Sequence, residues 1–113
     1  MEYDVFSPGC PSRQAFDQIF SRWGILMLSR LSAEPQRFGA LRRSVGGISE
    51  RMLSQTLRVL EEEGLVVREE WDEKPLRVEY RLTDPGLRIS ESVDRVIADL
   101  YGELEKRRVS ESR

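Results

Sequence analysis

The chain has 113 residues, of which 39% are hydrophobic, and carries a formal net charge of −2, which predicts one domain with a modest core. No apolar run approaches the ~18 residues that a membrane span needs, and the start MEYDVFSPGC lacks the features of a signal peptide, so we expect a cytoplasmic protein. A single cysteine and no histidine exclude an intramolecular disulfide and disfavour a transition-metal site, and we expect no cofactor.

The first third of the chain predicts an arm and two helices. Residues 1–9 show no clear pattern and are expected to form a flexible arm. The segment CPSRQAFDQIFSRW, residues 10–23, predicts a helix with Cys10 at its N-cap and Pro11 in the first helical position. WGILMLSRLS predicts a second helix, and Gly24 interrupts the periodicity between the two. The apolar side of the first helix consists of Ala15, Phe16, Ile19, Phe20 and Trp23.

Two further helices are predicted around a glycine pair. The turn AEPQ leads to a short third helix, FGALRRSV, which Gly46 and Gly47 end. Ser49 is expected to cap a fourth helix within SERMLSQTLRVLEEEGLV, residues 49–66, and Gly64 to supply its left-handed stop. The apolar side of this helix consists of Leu53, Leu57 and Leu60, broadened by Met52 and Val59.

The opposite side of the fourth helix carries no carboxylate. At i, i+3, i+4, i+7 spacing it presents Arg51, Ser54, Gln55 and Arg58. Between residues 35 and 60, five arginines stand against one acid, Glu50, so this region is locally cationic although the whole chain is acidic. Such a distribution suits a protein that binds a polyanion and stays soluble. An ordinary solvated helix surface is the simpler alternative.

The last part of the chain predicts a β-hairpin and a long helix. LVVREEW and RVEYRL are rich in β-forming residues, and the second alternates apolar with charged positions. DEKP between them predicts a hairpin tip that carries Lys74 and Pro75. Thr83 is expected to cap a last helix that begins DPG and covers about residues 84–107.

This order of elements predicts a winged helix-turn-helix: a mainly α fold with a small β-hairpin (α+β), covering residues 10–113. In that fold the second helix of the turn unit enters the DNA major groove and the hairpin tip, or wing, lies beside the backbone. We therefore predict a sequence-specific DNA-binding transcription regulator. The predicted contacts are Arg51, Ser54 and Gln55 at or near bases, Ser49, Arg42 and Arg58 at phosphates, and Lys74 and Arg77 in the wing.

The chain also resembles the HxlR-type family of bacterial winged-helix transcription regulators over nearly its full length. The resembling segments are CP and RW at the ends of the first helix, RFGALRR, GISERMLSQTLRVLEEEGLV, WDEKPLRVEYRLT and the LT..G start of the last helix. Trp71 and Leu76 depart from the tyrosine and the extra proline usual in the family's wing, and TDPG departs from the usual threonine-proline order. The resemblance implies a homodimer, and a twofold dimer implies a near-palindromic operator.

The apolar residues of the last helix favour a homodimer independently. That helix could span roughly 33 Å, longer than a small winged-helix core can cover, and the first helix has more large apolar residues than one such core would use. Packing both helices against a twofold mate would bury the surplus; a stripe folded back on its own domain is the alternative. The predicted dimer interface consists of Phe16, Phe20, Val93, Val96, Leu100 and Leu104.

The resemblance further implies a candidate redox sensor, because several regulators of the family respond to electrophiles or oxidants through a cysteine at the position of Cys10. A helix N-cap position also favours thiolate, since the unpaired N–H groups lower the pKa. The alternative is that Cys10 is only a cap or a small interface residue. Two other function classes are alternatives to a regulator: a winged-helix protein–protein interaction module, which the acidic composition favours, and an enzyme, for which no histidine base or phosphate-binding glycine loop is present.

Overall fold

The computed structural model describes residues 2–112, so that Met1 and Arg113, the outer ends of the predicted arm and domain, lie outside the described residues. Within this range the elements are α1 (Pro11–Ile19), α2 (Arg22–Leu31), α3 (Phe38–Ser44), α4 (Glu50–Glu62), β1 (Val66–Trp71), β2 (Arg77–Leu82) and α5 (Asp84–Glu111). β1 and β2 form one antiparallel hairpin. The predicted fold class, a mainly α winged helix-turn-helix with a small hairpin, is confirmed. None of the helices described is both long and apolar enough to span a membrane.

The core lies where α2 packs against α4 and α5. Its centre consists of Met27, Leu28, Leu41, Leu53, Leu57 and Leu60, all fully or almost fully buried. Three of these are the leucines predicted for the apolar side of α4. Met52 was expected to broaden that side, but it is 37% exposed, because it lies at the rim of α4 beside Trp23 instead of over the core.

The predicted boundary between the first two helices is wrong. α1 ends at Ile19, and Trp23 lies in the first turn of α2, whose N-cap is Ser21. The Ser21 hydroxyl oxygen accepts a hydrogen bond from the Gly24 N–H at 3.0 Å. A β-carbon on Gly24 would come within 2.0 Å of the Ile19 carbonyl oxygen. The glycine therefore permits a close backbone approach inside α2 and does not mark the break between the helices.

The turn from α3 to α4 and the end of α4 follow the predictions. The Ser49 hydroxyl oxygen caps α4 by accepting a hydrogen bond from the Met52 N–H at 3.0 Å. Gly64 adopts a φ of 76°, the left-handed conformation expected after the helix C-cap. α4 is thereby held between two short connections that fix its direction relative to α3 and the wing.

The wing pairs in one register from Val66 opposite Leu82 to Trp71 opposite Arg77. A short bridge that the sequence did not predict ties the wing to the turn before α3: Gln36 and Tyr80 exchange two backbone hydrogen bonds of 2.9 and 2.8 Å. These bonds connect the wing directly to the helix-turn-helix. The position of the hairpin therefore depends on the α3 side of the molecule as well as on α4.

α5 is longer than predicted. Thr83 caps it as expected, by accepting a hydrogen bond from the Gly86 N–H at 3.1 Å, but the helix extends to Glu111 and not to about residue 107. Ion pairs at i, i+3 spacing, Lys106 with Glu103 and Arg108 with Glu105, support the additional turn. From residue 98 onward the described part of α5 is exposed on all sides.

Candidate nucleic-acid interface

The polar side of α4 forms a shallow concavity with a volume of about 460 Å³. Its lining residues, called the recognition face below, are Arg51, Ser54, Gln55 and Arg58. All four side chains are exposed, because the leucines on the opposite side anchor the helix in the core. The structure thus brings together the four residues that the periodicity of the sequence singled out.

The two arginines of the recognition face differ in their surroundings. Arg58 Nε lies 3.9 Å from Glu62 Oε1, one turn further along α4, and both side chains are mostly exposed. Arg51 has no ion pair among residues 2–112. An exposed ion pair such as Arg58–Glu62 contributes at most about 1 kcal/mol, so a phosphate or a base can displace Glu62 from Arg58 at little cost.

Arg42 was predicted to contact phosphate, and the structure places its guanidinium beside a carboxylate. Its Nη1 donates a hydrogen bond of 3.0 Å to Oε1 of Glu50, the first residue of α4. Arg43, its neighbour in the last turn of α3, is exposed and was not among the predicted contacts. The sequence indicated Arg43 only through the local excess of arginine, because no helical periodicity set it apart from the other arginines.

Ser49 can combine its two predicted roles. Its oxygen accepts the capping hydrogen bond from Met52, and the residue is exposed at the start of α4. A serine hydroxyl accepts and donates at the same time, so the hydroxyl hydrogen can still be given to a phosphate oxygen. The predicted contact and the observed cap are therefore compatible.

The two predicted wing residues lie in different environments. The Arg77 guanidinium stacks over the Trp71 ring, 4.0 Å from the ring centroid, and its Nη2 lies 3.7 Å from Glu73 Oε1. Lys74 is exposed at the tip and forms no ion pair within residues 2–112. Arg77 is thus folded onto Trp71 where the strands meet the tip, and Lys74 is an exposed cation of the tip itself.

A second surface, between α1, α2 and α5, is apolar. This apolar groove has a volume of about 510 Å³ and is lined by Phe16, Phe20, Ile25, Ile89, Ser92, Val93, Val96 and Ile97. Four of the six predicted interface residues belong to it. Val93 is 8% exposed and packs into the core at the floor of the groove, whereas Val96 is 67% exposed. Leu100 and Leu104 continue the exposed stripe along α5 beyond the groove.

Cys10 is the N-cap of α1, as predicted, but its side chain makes no capping hydrogen bond. Its sulfur accepts a hydrogen bond from the Asp4 N–H at 3.4 Å and lies 3.2 Å from the Ser12 hydroxyl. The Asp4 hydrogen bond, followed by those from Ser12, lowers the pKa of the Cys10 thiol. The direction agrees with the prediction, although discrete hydrogen bonds are the main cause. No cluster of metal-binding side chains occurs in the part of the chain that is described.

The sequence is similar to a known family and to known proteins. The model of the HxlR-like helix-turn-helix family matches residues 18–107. The uncharacterised HTH-type transcriptional regulator YtfH of Escherichia coli (strain K12) is 44% identical over 92 residues, which are 81% of this chain and 73% of that protein.

Solved structures agree with the family match. The structure of ytfH from Salmonella typhimurium is similar with a TM-score of 0.84 and 37% identity, covering 99% of this chain and 100% of that chain. The oxidised form of the redox regulator HypR is similar with a TM-score of 0.71 and 33% identity, covering 83% of this chain and 95% of that chain. The relatives YtfH and HypR are thus named as a transcriptional regulator and a redox regulator.

Proposed function

The chain belongs to the HxlR-like helix-turn-helix family of transcriptional regulators, and we propose that it acts as a homodimer that binds a near-palindromic DNA operator through α4 and the wing. The observation that carries this proposal is the recognition face, an exposed surface of arginine, serine and glutamine. Its neighbouring carboxylates, Glu50 and Glu62, stand at the two ends of α4, and each is paired with an arginine. An acidic protein gains nothing in solubility from such a surface, whereas a DNA duplex presents phosphates and base edges that match it.

The chemistry of the recognition face suits both parts of DNA recognition. Guanidinium groups can donate two hydrogen bonds to guanine, and glutamine can pair with adenine in the same bidentate way. Arg51 and Gln55 are the residues we assign to bases, because they lie in the first two turns of α4, where recognition helices approach base edges. Ser49 and Arg58 are assigned to phosphates, which fix the position of the helix in the groove.

The apolar groove supports the homodimer. Val96, which lines the groove, is 67% exposed, and Leu100 and Leu104, which are 53% and 45% exposed, continue the groove along α5. A continuous exposed apolar stripe is typical of an interaction site, and a second copy of the same helix is a self-complementary occupant. A twofold dimer would present two α4 helices to one side of DNA, with half-site centres about 34–36 Å apart.

A binding selection tests the DNA proposal. The purified full-length chain is used to select from random duplexes, and the affinity for the selected sequence is measured at several salt concentrations. We expect an inverted repeat, an affinity that falls steeply with salt as counterions are released, and a loss of about 1–3 kcal/mol at one base position for Arg51→Ala. Equal binding to every duplex, or none at low salt, would reject the regulator's DNA role and favour a protein–protein interaction module.

We further propose that Cys10 makes the regulator responsive to oxidants or electrophiles. The lowered pKa of Cys10 and the similarity to the redox regulator HypR support this proposal. With one cysteine per chain, a diamide-type oxidant can take up two electrons and two protons as two thiols form one disulfide, either between subunits or with a small thiol. The test compares DNA-binding curves of wild type and Cys10→Ser with and without diamide; a wild-type curve that does not move makes Cys10 structural.

A further inference from the structure

Glu50 is the one acid among the arginines of residues 35–60, and it occupies the first position of α4. Its side chain is 70% exposed. Glu50 and Ser54 are four residues apart, so Glu50 lies on the edge of the recognition face, next to a residue of that face. With α4 against DNA, as proposed, phosphates would repel a carboxylate at this place, so a favourable contact has to offset the repulsion.

The interaction that the structure shows is a hydrogen bond with the first helix of the turn unit. Arg42 Nη1 donates to Glu50 Oε1 at 3.0 Å, across the glycine turn. Among the hydrogen bonds of the described residues, the second carboxylate oxygen of Glu50 accepts none from a side chain. That oxygen can accept a hydrogen bond from a ligand while Arg42 holds the first one.

Stability alone is a weak reason for this arrangement. An exposed ion pair contributes at most about 1 kcal/mol, and an acid in the first turn of a helix contributes about as much through the helix dipole. The helix-dipole effect needs no arginine, and Arg42 lies on a surface where an unpaired arginine would serve phosphate binding better. The hydrogen bond from Arg42 instead favours one direction of the carboxylate, and the guanidinium charge beside it reduces its repulsion by DNA.

We propose that Glu50 is a specificity-determining residue that accepts a hydrogen bond from the amino group of a cytosine in each half-site, with Arg42 as its positioning residue. Cytosine N4 is the donor that glutamate and aspartate recognise in the major groove, and adenine offers its amino group only beside an acceptor that repels a carboxylate. This inference rests on the proposed DNA-binding function. It assigns Arg42 a contact with Glu50 where the sequence suggested a phosphate contact alone.

Selection from random duplexes with full-length Glu50→Ala and Glu50→Gln tests the role of Glu50. Wild type should require cytosine at one position of each half-site. Glu50→Ala should lose this preference by about tenfold while the other positions stay unchanged, and Glu50→Gln should admit adenine there, because an amide both donates and accepts. Glu63→Gln, which removes the same charge from the far end of α4, should leave every base preference as in wild type.

The role of Arg42 needs a second pair of variants. Arg42→Ala should weaken the same cytosine preference, and Arg42→Lys should restore part of it, because a lysine can still donate to the carboxylate. Arg43→Ala removes the same charge from the same turn of α3, and it should weaken all sequences alike. Far-UV circular dichroism of each variant verifies that the helices are intact.

The outcomes separate the inference from the proposed function. If Glu50→Ala and Glu50→Gln both keep the wild-type preferences and merely bind all duplexes more tightly by one factor, Glu50 acts only through its charge and the inference is wrong. A changed preference at a position other than cytosine would overturn the cytosine assignment. If wild type enriches no sequence at all, the proposed DNA-binding function fails, and this inference fails with it.

Discussion

α4 and α5 are both amphipathic helices, but the chain buries the central leucines of α4 and leaves much of the apolar side of α5 exposed. In α4 the leucines at positions 53, 57 and 60 are at most 1% exposed, and the opposite side is polar. α5 buries residues only as far as Val93, and its continuation carries exposed Val96, Leu100 and Leu104. One helix therefore presents a polar surface to solvent, and the other presents an apolar one.

This difference indicates two kinds of partner. A polar, cationic surface backed by a complete core costs nothing to leave in water, so it can stay accessible until DNA arrives. Leaving an apolar stripe in water costs about 25 cal/mol for each Å² that a partner could bury. This cost favours a permanent partner with an apolar surface of its own. We infer that α5 serves assembly and α4 serves recognition.

Breaking the α5 surface should produce the largest effect. Leu100→Glu places a carboxylate in the proposed interface of each subunit, and burying an unpaired charge costs several kcal/mol. We expect dissociation of the dimer, measured by sedimentation velocity at micromolar concentration. Ala98→Glu adds the same charge to the other side of α5, where it is exposed, and should leave the dimer intact. A wild-type chain that sediments as a stable monomer contradicts the prediction.

Breaking the core beneath α4 should cost somewhat less, and independently of assembly. Leu57 is 1% exposed in the centre of the core, so Leu57→Ala should lower the free energy of unfolding by about 2–5 kcal/mol. Leu76, which is 56% exposed in the wing, provides the matched control: Leu76→Ala should change stability by less than about 0.5 kcal/mol. Urea unfolding of both variants measures the difference, and equal losses would show that α4 is not anchored as described.

Much of this division could be predicted from the sequence, because helix periodicity, N-caps and the glycine stop are local signals. Ser49, Gly64 and Thr83 behave as predicted for that reason. The end of α1 could not be predicted, since Gly24 looks like a helix break unless the nearby Ile19 carbonyl is known. The end of α5 was placed too early, because the apolar period fades after Leu104 while side-chain ion pairs continue the helix.

For the candidate site, the sequence predicted which residues share a face but not which of them form pairs. The periodicity of α4 identified the recognition face, but it could not show which charges pair across elements. Arg42 meets Glu50 from another helix, and Arg77 meets Trp71 from the opposite strand. The long apolar stripe predicted Val93 as an interface residue, and the structure places it at the floor of the groove within the chain's own core. Pairing and depth of this kind depend on tertiary contacts that no local pattern encodes.

The wing offers a smaller effect that sharpens the assignment of recognition to the α4 side. Lys74 extends from the wing tip, so Lys74→Ala should weaken binding to all DNA sequences alike and reduce the salt slope by about 1, the effect of removing one cation from a phosphate. Lys106 lies on α5, 3.8 Å from Glu103, and Lys106→Ala should leave the slope unchanged. Fluorescence anisotropy over a range of salt concentrations measures both. A salt slope that changes in Lys106→Ala and not in Lys74→Ala would place DNA at α5 and contradict the assignment to α4 and the wing.

The smallest expected effect concerns Cys10, which opens the helix that joins the two surfaces. α1 contacts α4 and supplies Phe16 and Phe20 to the apolar groove, so a change at its start can affect both. Because hydrogen bonds from Asp4 and Ser12 lower the pKa of Cys10, alkylation by iodoacetamide should reach its plateau at a lower pH than the usual thiol value of about 8.5.

The lowered pKa of Cys10 also determines how the stability of the fold depends on pH. A pKa lowered in the folded state stabilises the fold above the pKa of the unfolded thiol, and this contribution disappears as the pH falls through the folded value. Ser12→Ala removes one of the hydrogen bonds, so its alkylation profile should move toward higher pH, whereas Ser110→Ala on the exposed end of α5 should not move it. If wild type and Ser12→Ala titrate like a free thiol, the surroundings of Cys10 do not activate it, and α1 connects the two surfaces only through packing.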